Sequence, residues 1–188
     1  MTHLNIVYCN ENIKTVYHEL FDEALERYNA KQIRSDRKIK DYYEKIRSSK
    51  QEKPFHEIIL QVGGKGNMNA DTENGELAKQ ILDEYYQGFQ ERNPQLRVFS
   101  AHLHMDEATP HLHIDFVPFT TGSKRGLDTR VSLKQALATQ GFKGGSRGDT
   151  EWSQWIQSEK EQLAAVMERY GSEGKQLGTP EKHRSVLA

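Results

Sequence analysis

The sequence predicts an α+β fold, an antiparallel β-sheet with helices packed on one face, and three observations carry that reading. Short runs with two-residue alternation of apolar side chains mark at least four strands. Between them lie longer segments whose apolar residues recur every three or four positions, the period of an amphipathic helix. Two of the strands put apolar residues on one parity and histidines on the other, so one sheet face needs helices to cover it while the opposite face is polar.

Taken in order, residues 2–8 read as a first strand, with Leu4, Ile6 and Tyr8 on one face and His3 and Asn5 on the other. A long helix is expected over about 11–31, where Ile13, Val16, Tyr17, Leu20, Phe21, Ala24, Leu25 and Tyr28 form an apolar stripe and Asn10 is the expected cap. A short helix is expected over 38–47. Residues 55–62 form a strand bounded by Pro54 and Gly63. The run Gly63 to Asn69 is a loop, because it lacks the spacing of a phosphate-binding loop. A second long helix is expected over 73–92, with Leu77, Ile81, Leu82, Tyr85, Tyr86 and Phe89 on its apolar side and Asn93-Pro94 as its stop. A strand hairpin follows at about 98–116. Ser132 caps a helix to Thr139, and Glu151 to Tyr170 is the last helix, packing through Trp152, Trp155, Ile156, Leu163, Val166 and Met167. The tail from Gly171 to Ala188 is polar.

The chain of 188 residues suffices for one core that buries about 70% of the surface exposed by the unfolded chain. No repeat or linker divides it, so residues 1–188 are read as a single domain. Hydrophobic residues are 35% of the total and mean hydropathy is -0.84, a lean core under a charged surface. No apolar stretch approaches the length of a spanning helix and no signal sequence opens the chain, so the expected location is the bacterial cytoplasm. One cysteine rules out an internal disulfide framework.

The chemistry concentrates in residues 102–118, which hold four of the eight histidines. On the incoming strand Val98, Ser100, His102 and His104 share one face, and Phe99, Ala101, Leu103 and Met105 share the other. On the outgoing strand His111, His113 and Asp115 face one way, and Leu112, Ile114 and Phe116 the other. Asp106 to Pro110 has the length and composition of a hairpin loop. Antiparallel pairing with the apolar faces on a common core makes His104, His111 and His113 converge. Three neutral imidazoles suit Mn, Zn, Fe or Ni and leave a position open for a substrate oxygen. A structural zinc normally recruits cysteine. A lone histidine on a strand is ordinarily a partly exposed polar residue, and His3, His18, His56 and His183 are read so.

The pattern His104-x-Asp106-Glu107-x-x-Pro110-His111-x-His113, followed by Pro118, resembles the third motif of the MobV relaxases, the Pre/Mob plasmid mobilisation or recombination proteins. These belong to the HUH endonucleases, whose histidine-hydrophobe-histidine triplet is His111-Leu112-His113 here. The resemblance extends over most of the chain, from Thr2-His3-Leu4-Asn5 to the region near Leu187. It implies an antiparallel sheet with a metal at its centre, and a metal-dependent enzyme that nicks and rejoins one DNA strand at an origin of transfer through a covalent protein-DNA intermediate. It also implies that His104, His111 and His113 hold the metal, with Mn²⁺ first and Mg²⁺ second. A three-histidine set is softer than magnesium prefers. Glu107 is the expected base or orienting group, with Asp106 as the alternative. His102 and Asp115 share the metal face and are expected to steer the imidazoles, as is Asp106. Relatives carry a His-Asn-x-Arg-like nucleophile motif upstream of the His-Leu-Asn block. This chain is therefore expected to lack the nucleophile segment, with His18, Tyr17, Tyr42 and Tyr43 as internal alternatives without motif support. It is also expected to lack a C-terminal extension associated with dimerisation. The rival readings are an origin-binding module that is not an enzyme and uses a structural metal, and a metal hydrolase of small substrates.

The expected partner is single-stranded or hairpin DNA, with no membrane segment in the chain. Net charge is -1, from 26 basic and 27 acidic residues, so distribution matters more than the sum. Residues 31–53 carry nine Lys or Arg against four Asp or Glu. There Lys38, Lys40, Lys45 and Arg47 are expected to meet phosphates while Tyr42 and Tyr43 stack on bases or anchor the helix. Lys124 and Arg125, and Lys143 and Arg147 in a glycine-rich loop, are further expected contacts. Charge runs of this kind are equally the composition of a solvated face.

Overall fold

A computed structural model describes residues 5–63, 72–106 and 109–171. His3, Leu4, the loop residues after Gly63, Glu107, and the tail with His183 and Leu187 lie outside the described residues. The elements are β1 (Ile6–Asn10), α1 (Ile13–Ala30), a 3-10 turn at Ser35–Arg37, α2 (Tyr42–Arg47), β2 (His56–Gln61), α3 (Glu73–Gln87), α4 (Phe89–Arg92), β3 (Leu96–His104), β4 (His111–Thr120), β5 (Arg130–Val131), α5 (Leu133–Thr139) and α6 (Glu151–Gly171). This is the expected α+β class. The sheet runs in the order β1-β3-β4-β2 with antiparallel pairing throughout, and β5 adds a two-residue pairing to the end of β4.

The main core lies between the apolar sheet face and α3, α4, α5 and α6. Ile58 and Leu60 of β2, Ala101 and Leu103 of β3, and Leu112, Ile114 and Phe116 of β4 meet Ile81, Leu82, Tyr85, Phe89, Leu137 and Trp155. A buried carboxylate pins α6 in place. Glu159 accepts from Tyr85 Oη at 2.6 Å, Arg92 Nη2 at 2.9 Å and Asn93 Nδ2 at 3.1 Å, while Trp155 Nε1 donates to Asn93 Oδ1 at 2.7 Å. A charge removed from water persists only when paired and hydrogen-bonded in this way.

A second, smaller core occupies one end of the opposite face. There α1 and α2 bring Val16, Tyr17, Phe21, Ala24, Tyr42 and Ile46 onto Phe99, Val117, Leu127 and Val131. Its presence follows from a bulge in β3. Val98 pairs with Phe116 but Ser100 pairs with Asp115, so Phe99 is an extra residue and the face parity of β3 inverts around it. Val98 therefore joins the main core, and Phe99 faces the histidine side under α1, the reverse of strict alternation.

Three boundaries also differ from expectation. The cap of α1 is Asn12, whose side chain accepts from Lys14 N, because β1 extends through Asn10. Helix α2 begins only at Tyr42, capped by Asp41. The expected helix over 73–92 divides at Gly88 into α3 and α4.

Candidate metal centre

The β3–β4 pairing sets His104 directly opposite His111 and His102 directly opposite His113. Alternation turns all four imidazoles away from the main core. The rings of His104, His111 and His113 have centroids 5.0 to 5.1 Å apart, and one ligating nitrogen from each lies within 4.8 Å of the others. A first-row metal about 2.1 Å from each nitrogen requires separations of about 3.4 Å, within reach of small side-chain rotations. These three form the one group of at least three potential ligands among the described residues. All are half-buried, so a substrate can reach the site.

Oxygen atoms face the Nδ1 edge of each ring. His111 Nδ1 lies 3.1 Å from the Thr109 carbonyl, His113 Nδ1 is 3.5 Å from Glu57 Oε1, and His104 Nδ1 is 3.8 Å from Asp106 Oδ1. The Thr109 carbonyl favours the His111 tautomer that carries its proton on Nδ1, which suits ligation of His111 through Nε2. The donor set thus fits a borderline divalent cation such as Mn²⁺ or Zn²⁺.

The other expected steering groups surround this triad. His102 Nε2 is 3.1 Å from Ser100 Oγ, and its ring is 6.2 Å from that of His104. Asp115 pairs across β2 with Glu57. Burial, and then the Glu57 carboxylate, push the Asp115 pKa up. Asp106 is exposed, and a hydrogen bond from Asn5 holds its pKa below the usual carboxylate range. Asn5 also accepts from Met105 N at 2.7 Å, tying the mouth of the hairpin loop to the residue that leads into β1. Glu107 belongs to that loop, among the residues not described.

Sequence reasoning missed Glu57 and Asn5. Glu57 carried a signal, since alternation in β2 separates Glu57, Ile59 and Gln61 from the buried Ile58 and Leu60. What it lacked was any sign that β2 lies beside β4.

The expected DNA contacts fall in three places. Lys38, Lys40, Lys45 and Arg47 are exposed on the 3-10 turn and α2 segment, which packs on α1. Lys124 and Arg125 are exposed in the β4–β5 loop, tied to α1 by the Arg27–Asp128 ion pair at 2.8 Å. Both groups thus border the α1 end of the histidine face. Lys143 and Arg147 are exposed beyond Phe142, which packs on the main core on the helix side of the sheet. Of the two tyrosines, Tyr42 is an anchor: it is buried, and its hydroxyl accepts from Val131 N at 3.0 Å. It presents no face to a base. Tyr43 is half-buried, edge-on to Tyr17, with Lys14 Nζ 5.4 Å from its ring centre.

Residues 2–144 match the family described as plasmid recombination enzyme. No curated protein and no solved structure matches the chain.

Proposed function

The chain belongs to the Pre/Mob family of plasmid recombination enzymes, and from that premise we propose that it is a metal-dependent DNA relaxase. In this reading it nicks and rejoins one strand at an origin of transfer through a covalent protein-DNA intermediate. The observation that carries the metal part is the convergence of His104, His111 and His113 on a half-buried sheet face. Family membership supplies the DNA substrate.

A divalent ion held there, Mn²⁺ before Mg²⁺, would supply polarisation of the scissile phosphate and offset charge growing on its oxygens. The chain's own residues do the rest. His104, His111 and His113 would hold the ion, with the Thr109 carbonyl orienting His111, Glu57 beside His113 and Asp106 near His104. Glu107 removes or orients the proton of the attacking group. The attacking atom bonds to phosphorus, the bond from phosphorus to the leaving sugar oxygen breaks, and that oxygen takes up a proton; rejoining is the reverse. Three of the four internal nucleophile candidates are otherwise engaged. Tyr17 is buried and donates its hydroxyl to the Pro54 carbonyl at 2.5 Å, Tyr42 is buried on Val131, and His18 faces Asp22 on the exposed side of α1. Lys38, Lys40, Lys45, Arg47, Lys124 and Arg125 are the phosphate contacts, and Lys143 and Arg147 serve a strand that continues past the sheet.

The test is intact-mass spectrometry of the protein mixed with Mn²⁺ and single-stranded oligonucleotides tiled across the DNA flanking its own gene, beside a chain extended in frame upstream of Met1. An adduct on the extended chain alone, abolished by chelation and by Glu107→Gln at unchanged DNA affinity, is expected; an adduct on the chain that starts at Met1 would assign the nucleophile to an internal residue, to be mapped by peptide digestion. Tight DNA binding with no adduct on either chain would replace the relaxase by an origin-binding module.

A further inference from the structure

Phe55 stands out among the aromatic residues. Of the seven phenylalanines it is the exposed one, at 40%, whereas Phe21, Phe89, Phe99 and Phe116 are buried and Phe119 and Phe142 half-buried. A single exposed phenylalanine is ordinary in itself. This one is held firmly and faces the chemistry. Its ring meets Phe99 edge-to-face at 5.5 Å and 88°, and the carbonyl of its neighbour Pro54 accepts from the buried Tyr17 hydroxyl. Phe55 lies one residue before β2, and continuing the alternation of Glu57, Ile59 and Gln61 it falls on the histidine side, where Ile59 pairs with His113. Four residues separate Phe55 from the His113 row, about 13 Å along the strand. The ring therefore stands where the open metal face meets the wall made by α1 and α2. Lys14, over the Tyr43 ring and ion-paired with Glu44 at 3.7 Å, belongs to that wall.

We propose that Phe55 is a stacking platform for one unpaired base of the bound strand, fixing which phosphate lies over His104, His111 and His113. This rests on the DNA reading above. An edge-to-face support leaves at least one face of the ring for a base. Stacking of that kind tolerates any base, so the platform sets register while other contacts choose sequence. It is a positioning residue and touches no reacting atom.

The experiment is fluorescence anisotropy with an end-labelled, mixed-sequence single-stranded oligonucleotide, repeated with 2-aminopurine placed at each position in turn. Phe55→Ala and Phe55→Leu should each weaken binding by about five-fold or more, the lower end of base stacking on an aromatic ring. Phe55→Tyr should retain it. Quenching at one 2-aminopurine position in the unmodified protein should disappear in the alanine variant, while Mn²⁺ affinity stays the same in all four proteins. Unchanged DNA affinity in Phe55→Ala overturns the platform, as does full affinity in Phe55→Leu, which would mean plain apolar packing. If the unmodified protein binds no single strand, the DNA reading itself fails and the platform goes with it. A loss confined to the variants cannot be mistaken for that result.

Discussion

His56 gives the sharpest pH prediction. It precedes the metal-face carboxylate Glu57 but points to the opposite side of the sheet, with its ring 6.1 Å from Phe116 and 5.9 Å from Trp152. Burial there, with a smaller contribution from Lys53, holds its pKa down to about 4. In the unfolded chain the value is about 6.5. A histidine that binds its proton more weakly when folded favours folding above pH 6.5, and that advantage is lost as pH falls toward 4. A difference of about 2.5 units at about 1.4 kcal/mol each sets a ceiling of about 3.4 kcal/mol, and about 2.5 kcal/mol of it is gone by pH 4.5. Partial exposure of the ring trims the expectation to about 2 kcal/mol. The assay is urea unfolding of the protein and of His56→Phe at pH 7.5 and pH 4.5, with chelator present because metal binding is itself linked to pH. The stability gap between the two proteins should shift by about 2 kcal/mol in favour of the variant at the lower pH. Parallel pH dependences would show that His56 is solvated and that its packing against Phe116 and Trp152 carries no protonation penalty.

Two further outcomes follow from the same geometry. Glu57→Gln should weaken Mn²⁺ binding by about 10- to 100-fold in a calorimetric titration, the usual effect of removing a carboxylate behind a ligating histidine; unchanged affinity would mean that Glu57 does not orient His113. Glu159→Leu should cost about 3–5 kcal/mol in urea unfolding, because it leaves Arg92, Tyr85 and Asn93 without the acceptor they share, and a loss under about 1 kcal/mol would show that water reaches those groups.

How much of this was legible in the sequence depends on whether the interaction is local. The hairpin was readable because its strands are neighbours in sequence, so alternation and loop length together fix both register and facing. That is why the convergence of His104, His111 and His113 could be expected before any coordinates. Glu57 was not readable. It reaches His113 only because β2 lies next to β4, and the choice of neighbour for a strand 50 residues away is settled by the whole sheet. That one of Tyr42 and Tyr43 anchors the helix could be anticipated, but not which one, for the same reason: the burial of Tyr42 depends on Val131, 89 residues on. The division at Gly88 had a local signal, a glycine inside an otherwise periodic helix, but the period continues across it and masked the break.

The bulge at Phe99 matters most, because the whole histidine face depends on it. Read strictly, the run from Leu96 to His104 cannot keep all its apolar residues on one side: Leu96 and Val98 have one parity, Ala101 and Leu103 the other. Two adjacent large apolar residues, Val98 and Phe99, mark where the phase slips. One extra residue resolves the conflict by letting Leu96, Val98, Ala101 and Leu103 all enter the main core. The residue left over is then forced onto the histidine side, where a bare phenylalanine would meet water. Helix α1 covers it through Val16, Tyr17 and Phe21, which explains why a helix packs on a face otherwise given to polar chemistry. The same helix gathers the basic segments of 38–47 and 124–125 toward that end of the sheet, and Phe99 in turn braces Phe55. A single phase slip in β3 therefore separates the closed, aromatic end of this face from the open, metal-binding end about four residues away.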